Sequence, residues 1–224
     1  MLHCDKQSLF DTLAMTLAYR PSKDTPKSRR TRERILDSAM RLFAEIGYHA
    51  ATNGAIADAA GLTRGAMLYH FPSREDLVEA AVEHIQGHRL RLLDNAAQDP
   101  PPGADATTHA IEAYWRMLSE TPFVAFAELQ GVARTDLMVR ERIAEAEDAF
   151  DRAQVGDGFS ALASAGSGGR FQASRDLARF LLEGLSRASL AYDSEARSSN
   201  LLNVVERAVR MLNRKEVVHD LWQD

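Results

Sequence analysis

Apolar residues recur at helical spacing along almost the whole chain, and strand-like alternation is nearly absent. Ile35, Leu36, Ala39, Leu42, Phe43 and Ile46 fall on one face of a helix that Gly47 stops. Thr25-Pro26 opens it, as an N-cap followed by Pro at the first helical position. A long helix is predicted over 74–98, through Leu77, Val78, Ala81, Ile85, Leu92 and Leu93. At 1.5 Å per residue it spans roughly 37 Å. Ser73 with an acid three residues later is close to a capping box at its start, and Asp99-Pro100-Pro101-Pro102-Gly103 ends it. Further helices are predicted over 105–120, from Thr121-Pro122 onward, and over 136–164, 172–192 and 196–213, with 164–170 as a loop. Leu177, Leu181, Gly184, Leu185 and Ala188 share one side of the penultimate helix. Leu201, Val204, Val205, Ala208, Val209 and Leu212 make a stripe on the last. The pattern therefore predicts an all-α fold.

Between the first helix and the long one lies TNGAIADAAGLTRGAMLYHF, residues 52–71. It reads as two short helices joined by a tight turn at Gly61. Thr52 caps the first, whose apolar side is Ile56, Ala59 and Ala60. Thr63 caps the second, which presents Thr63, Arg64, Gly65 and Tyr69 outward. That is the pattern of a helix-turn-helix whose second helix enters the major groove of DNA.

Charge supports this reading once it is divided along the chain. The net charge is −5, but residues 21–75 carry nine Lys/Arg against six Asp/Glu, and residues 76–224 sixteen against twenty-four. A basic front on an acidic body is a weak electrostatic footprint for a phosphate backbone. The single cysteine excludes an internal disulfide framework and a Cys-based zinc site, and a reducing cytoplasm is the natural home. No apolar run approaches the ~20 residues of a membrane span. The first residues do not read as a signal peptide.

The chain divides into an N-terminal extension (1–24), a helix-turn-helix unit (25–72), a connecting helix (73–99), a helical body (100–214) and a tail (215–224). In the extension Leu9, Leu13 and Leu17 form one amphipathic stripe, which fits a helix packed on the body, a disordered segment or a DNA-contacting arm. Arg29, Arg30, Arg32 and Arg34 crowd the start of the first helix, where the helix dipole disfavours cations. A phosphate partner would relieve that conflict. A solvated face, partly compensated by Glu33 and Asp37, is the other reading.

Catalytic signals are missing. There is no nucleophile motif, and GSGG at 166–169 lacks the Lys and strand-to-helix context of a phosphate loop. His84 and His88 have metal-ligand spacing, but no third ligand is evident and Glu83 does not make a zinc-protease signature. They are therefore read as solvent or pocket-rim histidines, with no metal and no cofactor expected. Tyr114, Trp115, Met117, Phe123, Phe126 and Phe150 form an aromatic-rich group that fits either plain core packing or the lining of a ligand site.

The order of parts resembles the TetR family of transcriptional regulators. An Arg-rich first helix ends at Ile46-Gly47-Tyr48. IleAlaAspAlaAlaGlyLeu (56–62), ThrArgGlyAlaMetLeuTyrHisPhe (63–71) and ProSerArgGluAspLeu (72–77) follow at family spacing. The likeness covers about residues 26–80 in motif, and beyond them only the number, length and order of helices. It implies a three-helix DNA-binding domain plus a C-terminal ligand-binding and dimerisation domain. Implied DNA contacts are Arg29, Arg30, Thr52, Thr63, Arg64, Gly65, Tyr69, His70 and Arg74. Where the family usually has Leu-Tyr this chain has Met67-Leu68, so Leu68 is suited to a thymine methyl rather than to phosphate. Arg64 is then the main polar base reader, with DNA shape contributing. The resemblance also places an effector pocket among the helices of 105–150. Its candidate lining is His109, Trp115, Met117, Phe123, Phe126, Glu128 and Phe150, with Arg134 as a further polar group. The last two helices would pair in a homodimer through Leu177, Leu181, Leu185, Leu201, Val205, Ala208 and Leu212. The expected partners are an operator in double-stranded DNA and a small apolar or amphipathic effector, with no membrane.

Overall fold

The computed structural model describes residues 25–98, 103, 105–155, 169–189 and 195–213. The predicted N-terminal amphipathic helix, the Pro-rich stop, the end of the 136–164 helix, most of the 164–170 loop and the tail fall outside the described residues. Among the described residues there are nine helices and no strand. They are α1 (Pro26–Ile46), α2 (Asn53–Ala59), α3 (Arg64–His70), α4 (Arg74–Gln98) and α5 (Ala106–Met117), followed by α6 (Thr121–Val132), α7 (Leu137–Val155), α8 (Gly169–Ser189) and α9 (Glu195–Asn213).

The capping chemistry places the helix starts. Thr25, Thr52 and Thr63 are extended N-caps whose hydroxyls accept from the backbone N–H three residues on, at 3.1–3.2 Å. Ser73 and Asp76 bond reciprocally: the Ser73 hydroxyl accepts from Asp76 N at 3.0 Å, and the Asp76 carboxylate accepts from Ser73 N at 3.1 Å. Each bond satisfies a donor that the helix start leaves orphaned. α8 begins at Gly169, so Gly169 and Arg170 belong to a helix rather than to the predicted loop.

The α1 stripe buries Ile35, Leu36, Ala39, Leu42 and Phe43. Ile46, grouped with them by spacing, is 49% exposed because α1 ends there. On α2 the buried residues are Ile56 and Ala57, with Ala60 at its cap. Ala59 instead faces solvent, because α2 is too short for more than one inward edge.

α1 packs on α6 and α4, not only on α2. One cluster therefore runs without a break from Ile35, Phe43, Ile56, Met67 and Phe71 through Leu77 and Ile85 of α4 to Ala125, Phe126 and Leu129 of α6 and Val139 of α7. A second cluster joins Leu93 at the far end of α4 to Ile111, Tyr114, Phe123, Phe150, Leu182 and Val205. No helix of the described residues is long and apolar enough to cross a membrane.

A polar key aligns with the first cluster. Glu128 of α6 accepts from the Tyr48 backbone N–H at 2.9 Å. Gly47 has φ +82°, and a Cβ there would lie 3.1 Å from the Glu128 Oε1. Only glycine satisfies both the left-handed backbone and this close approach.

Phe43 is 1% exposed in the shared cluster. Phe43→Ala is expected to cost about 3–5 kcal/mol, read as a lowered urea midpoint. Far-UV circular dichroism and Trp fluorescence should shift together; an early transition confined to the front helices would contradict a shared core.

Candidate functional site

The outer face of the front helices is built from the caps upward. Met67 (1% exposed) and Phe71 anchor α3 from below. That leaves Thr63, Arg64, Gly65, Leu68 and Tyr69 exposed along one side. Thr52, at the start of α2, and Arg29 and Arg30 on α1 are exposed too. Leu68 is 38% and Tyr69 55% exposed. The Tyr69 ring meets the His70 ring edge-on, centroids 5.3 Å apart. His70 is half-buried, and its carbonyl oxygen accepts from the Arg32 guanidinium at 2.8 Å.

The arginines split into two groups. Arg32 lies 4.2 Å over the Phe71 ring, tying α1 to the end of α3. Arg74 donates to the carbonyls of Ala51 at 2.8 Å and Tyr48 at 3.0 Å and to Asn53 Oδ1 at 3.2 Å. It also stacks 4.7 Å over Tyr48. The implied role of Arg74 as a backbone contact is thus corrected: its guanidinium is turned inward, because three carbonyl-type acceptors at the α1–α2 turn need a donor. Arg32 was read from sequence only as part of a basic cluster, and nothing in that pattern distinguished it from Arg29, Arg30 and Arg34.

A cleft opens into the body between α4, α6 and α8. Phe123 and Phe126 line it, with Arg89, Gln130, Glu183 and Arg187. Arg89 is 2% exposed and its guanidinium sits 3.6 Å over Phe126 and 4.2 Å over Phe150. It donates to Gln86 Oε1 at 2.9 Å, while its buried Nε has no hydrogen-bond partner. Burial pushes this guanidinium below its ordinary pKa, against the opposing pull of Glu147. Arg179 is also buried, which works against its charge, yet Glu147 and Glu183 hold its pKa up. Tyr114 is pushed well up, first by burial and then by Glu183, whose carboxylate accepts its hydroxyl at 2.8 Å.

Other predicted pocket residues lie elsewhere. Glu128 is turned away to Tyr48, so it keys the front helices instead of lining the cleft. The His109 ring packs towards α4, with Nε2 3.3 Å from the Ala96 carbonyl oxygen. Arg134 is exposed. Met117 and Phe150 are core residues of the second cluster, and Trp115 packs at its edge. Arg89 and Glu183 were missed because a charge on an otherwise amphipathic helix reads as surface.

On α8 and α9 the predicted stripe divides. Leu177, Leu181 and Leu201 are exposed, at 47%, 49% and 41%. Leu185, Ala208 and Leu212 are half-buried. Val205 is 7% exposed and belongs to the protomer's own core, which corrects its assignment to a dimer surface. Phe180, Val204 and Met211 are exposed instead, at 59%, 59% and 53%. His84 and His88 lie neither in open solvent nor at the cleft: both face Asp37 of α1, which supplies the third ligand-type group that the sequence did not reveal.

A capped pair of short helices, joined by a glycine turn and keyed to a helical body, defines a helix-turn-helix fold. Residues 35–81 match the family of bacterial regulatory proteins named tetR. The HTH-type transcriptional regulator AcrR of Shigella flexneri is 46% identical over 55 residues, 25% of this chain and 26% of AcrR. The HTH-type transcriptional repressor LfrR of Mycolicibacterium smegmatis is 35% identical over 101 residues, 45% of this chain and 48% of LfrR. The chain thus aligns with about a quarter to a half of the length of these relatives. Among solved structures, Salmonella enterica GusR superposes with a TM-score of 0.63 at 22% identity, over 85% of this chain and 98% of GusR, a likeness of fold. Over residues 35–81 the chain is thus similar to the tetR family of bacterial regulatory proteins, and its fold is similar to that of GusR.

Arg74→Ala removes three hydrogen bonds and a ring contact, so it is expected to lower stability by about 1–3 kcal/mol. Arg64→Ala, on the exposed side of α3, should leave stability within about 0.5 kcal/mol. Urea titration of the two variants distinguishes the inward arginine from the outward one.

Proposed function

We propose that this chain is a ligand-responsive repressor that binds a pseudo-palindromic operator as a homodimer and is released by a small amphipathic effector. The observation that carries this reading is the outer face of α3. Thr63, Arg64, Gly65, Leu68 and Tyr69 are left exposed together on a helix anchored from below by Met67. A glycine lets the backbone come close to DNA, Arg64 can reach a base edge or a phosphate, and Leu68 fits a thymine methyl. Thr52, Arg29 and Arg30 flank this face and supply hydroxyl and cationic contacts to the sugar-phosphate backbone.

The exposed apolar side chains of α8 and α9 support self-association. Leu177, Phe180, Leu181, Leu201 and Val204 cluster on two helices that pack on each other, and a monomer would leave them in water. A two-fold pairing there sets two copies of α3 against successive major grooves, about 34 Å apart or somewhat more. The cleft supports the effector half of the reading. The buried Arg89 has a donor without an acceptor, and aromatic rings surround it. An amphipathic molecule with an acidic or other acceptor group would satisfy that donor and lie against the rings. Because α4 runs from the front helices to Arg89, filling the cleft and binding DNA would be reciprocally coupled, typically by 1–3 kcal/mol. A helical ligand-binding or protein-interaction protein that does not bind an operator is the rival reading.

Selection of random DNA by the purified protein should yield a pseudo-palindrome. Arg64→Ala should weaken binding to it by about 1–3 kcal/mol and flatten its salt dependence. No enriched sequence, or unchanged affinity of Arg64→Ala, would leave the rival reading standing. In light scattering, Leu201→Asp with Val204→Asp is expected to give folded monomers. Val205→Asp should instead disrupt the protomer itself. A dimer that survives the Leu201/Val204 pair overturns the interface.

A further inference from the structure

His84 and His88 lie four residues apart on α4, so both imidazoles project from one face. Their ring centroids are 4.6 Å apart. Across from them α1 presents Asp37. Its Oδ1 lies 2.7 Å from Nε2 of His84 and 3.8 Å from Nε2 of His88. The ligand atoms of all three side chains lie within 4.8 Å of one another. Bond lengths of about 2.0–2.2 Å in a tetrahedral site put ligand atoms roughly 3.3–3.6 Å apart. The observed separations bracket that value, so small side-chain rotations bring the three donors to it.

Solvent access also fits. The side chains of His84 and His88 are 17% and 32% exposed, and that of Asp37 is 55% exposed. The cluster is thus walled by α1 and α4 on one side and open on the other. This leaves an entry path and room for water as a fourth ligand. Two imidazoles and one carboxylate suit zinc and its neighbours better than magnesium or calcium, which require mainly oxygen donors.

We propose that Asp37, His84 and His88 form a binding site for a divalent transition-metal ion of the zinc class. The ion would replace the Asp37–His84 hydrogen bond with bonds to both helices. Asp37 belongs to the helix that supports the DNA-facing pair, whereas the histidines belong to the helix that continues into the body. A bound ion therefore fastens α1 to α4, and its occupancy is linked to any movement between them. The metal site itself does not rest on the operator reading.

The test uses the full chain, stripped with a chelator and titrated with Zn²⁺ alone, without DNA, in competition with a chromophoric chelator. Wild type is expected to bind one ion per chain at this site and to melt at a higher temperature when it is bound. His84→Ala with His88→Ala should lower the affinity at least about tenfold, since losing even an outer-shell partner of a ligand typically costs that much. It should also abolish the thermal shift. Asp37→Asn retains a side-chain oxygen for His84, so it preserves the fold if the double variant does not fold, and it should show the same loss. Co²⁺ in the wild type should give the visible absorption of a four-coordinate N,O site. The proposal is overturned if wild type takes up no ion, or if folded His84/His88 or Asp37 variants bind Zn²⁺ as tightly as wild type.

Discussion

The fold depends on where α1 can bury its apolar face. α2 and α3 have seven residues each, too short to cover Ile35, Leu36, Ala39, Leu42 and Phe43. The remaining surface is met by α4 and α6. Phe126 and Leu129 of the body therefore belong to the same cluster as Ile56 and Met67 of the front helices. A close-packed core deforms little before it rearranges. The front helices are consequently positioned by the body, not tethered to it. Gly47 and Glu128 add registry: the glycine permits the approach, and the carboxylate accepts from the Tyr48 backbone N–H.

The same packing allocates the arginines. Arg32 and Arg74 have acceptors and ring faces within reach, so they staple the short helices to α1 and α4. Those contacts leave Arg29, Arg30 and Arg64 on the outside, where a phosphate backbone would meet them. Arg89 shows the opposite balance. Its burial costs solvation, partly offset by the faces of Phe126 and Phe150 and by Gln86, but Nε stays without an acceptor. Natural cores rarely leave such a donor unpaired. Its place in a cleft lined by aromatic rings is what the proposed effector site rests on.

Apolar surface is divided in a similar way. α8 and α9 bury Ala178, Leu182 and Val205 against the second cluster and leave Leu177, Phe180, Leu181 and Val204 outward. One stripe in sequence thus divides between the core and the face proposed for self-association, because a helix packed on a core on one side can carry a second apolar edge. The edge facing the core cannot be told from the edge facing a partner until the helix's rotation about its axis is known.

Much of this protein was legible in the residues themselves. Periodicity, the three Thr caps, the Ser73–Asp76 pair and the glycine turns are local, and they determined the helices, the all-α class and the helix-turn-helix with its outward Thr63, Arg64 and Gly65. What the tertiary structure alone decided is which long side chains turn inward. Arg74, Arg32, Glu128 and Arg89 are flexible enough to reach either water or a distant backbone group, so spacing says nothing about their partners. Asp37 joined His84 and His88 for the same reason. They are forty-seven residues or more apart in sequence, and only the packing of α1 on α4 brings them together.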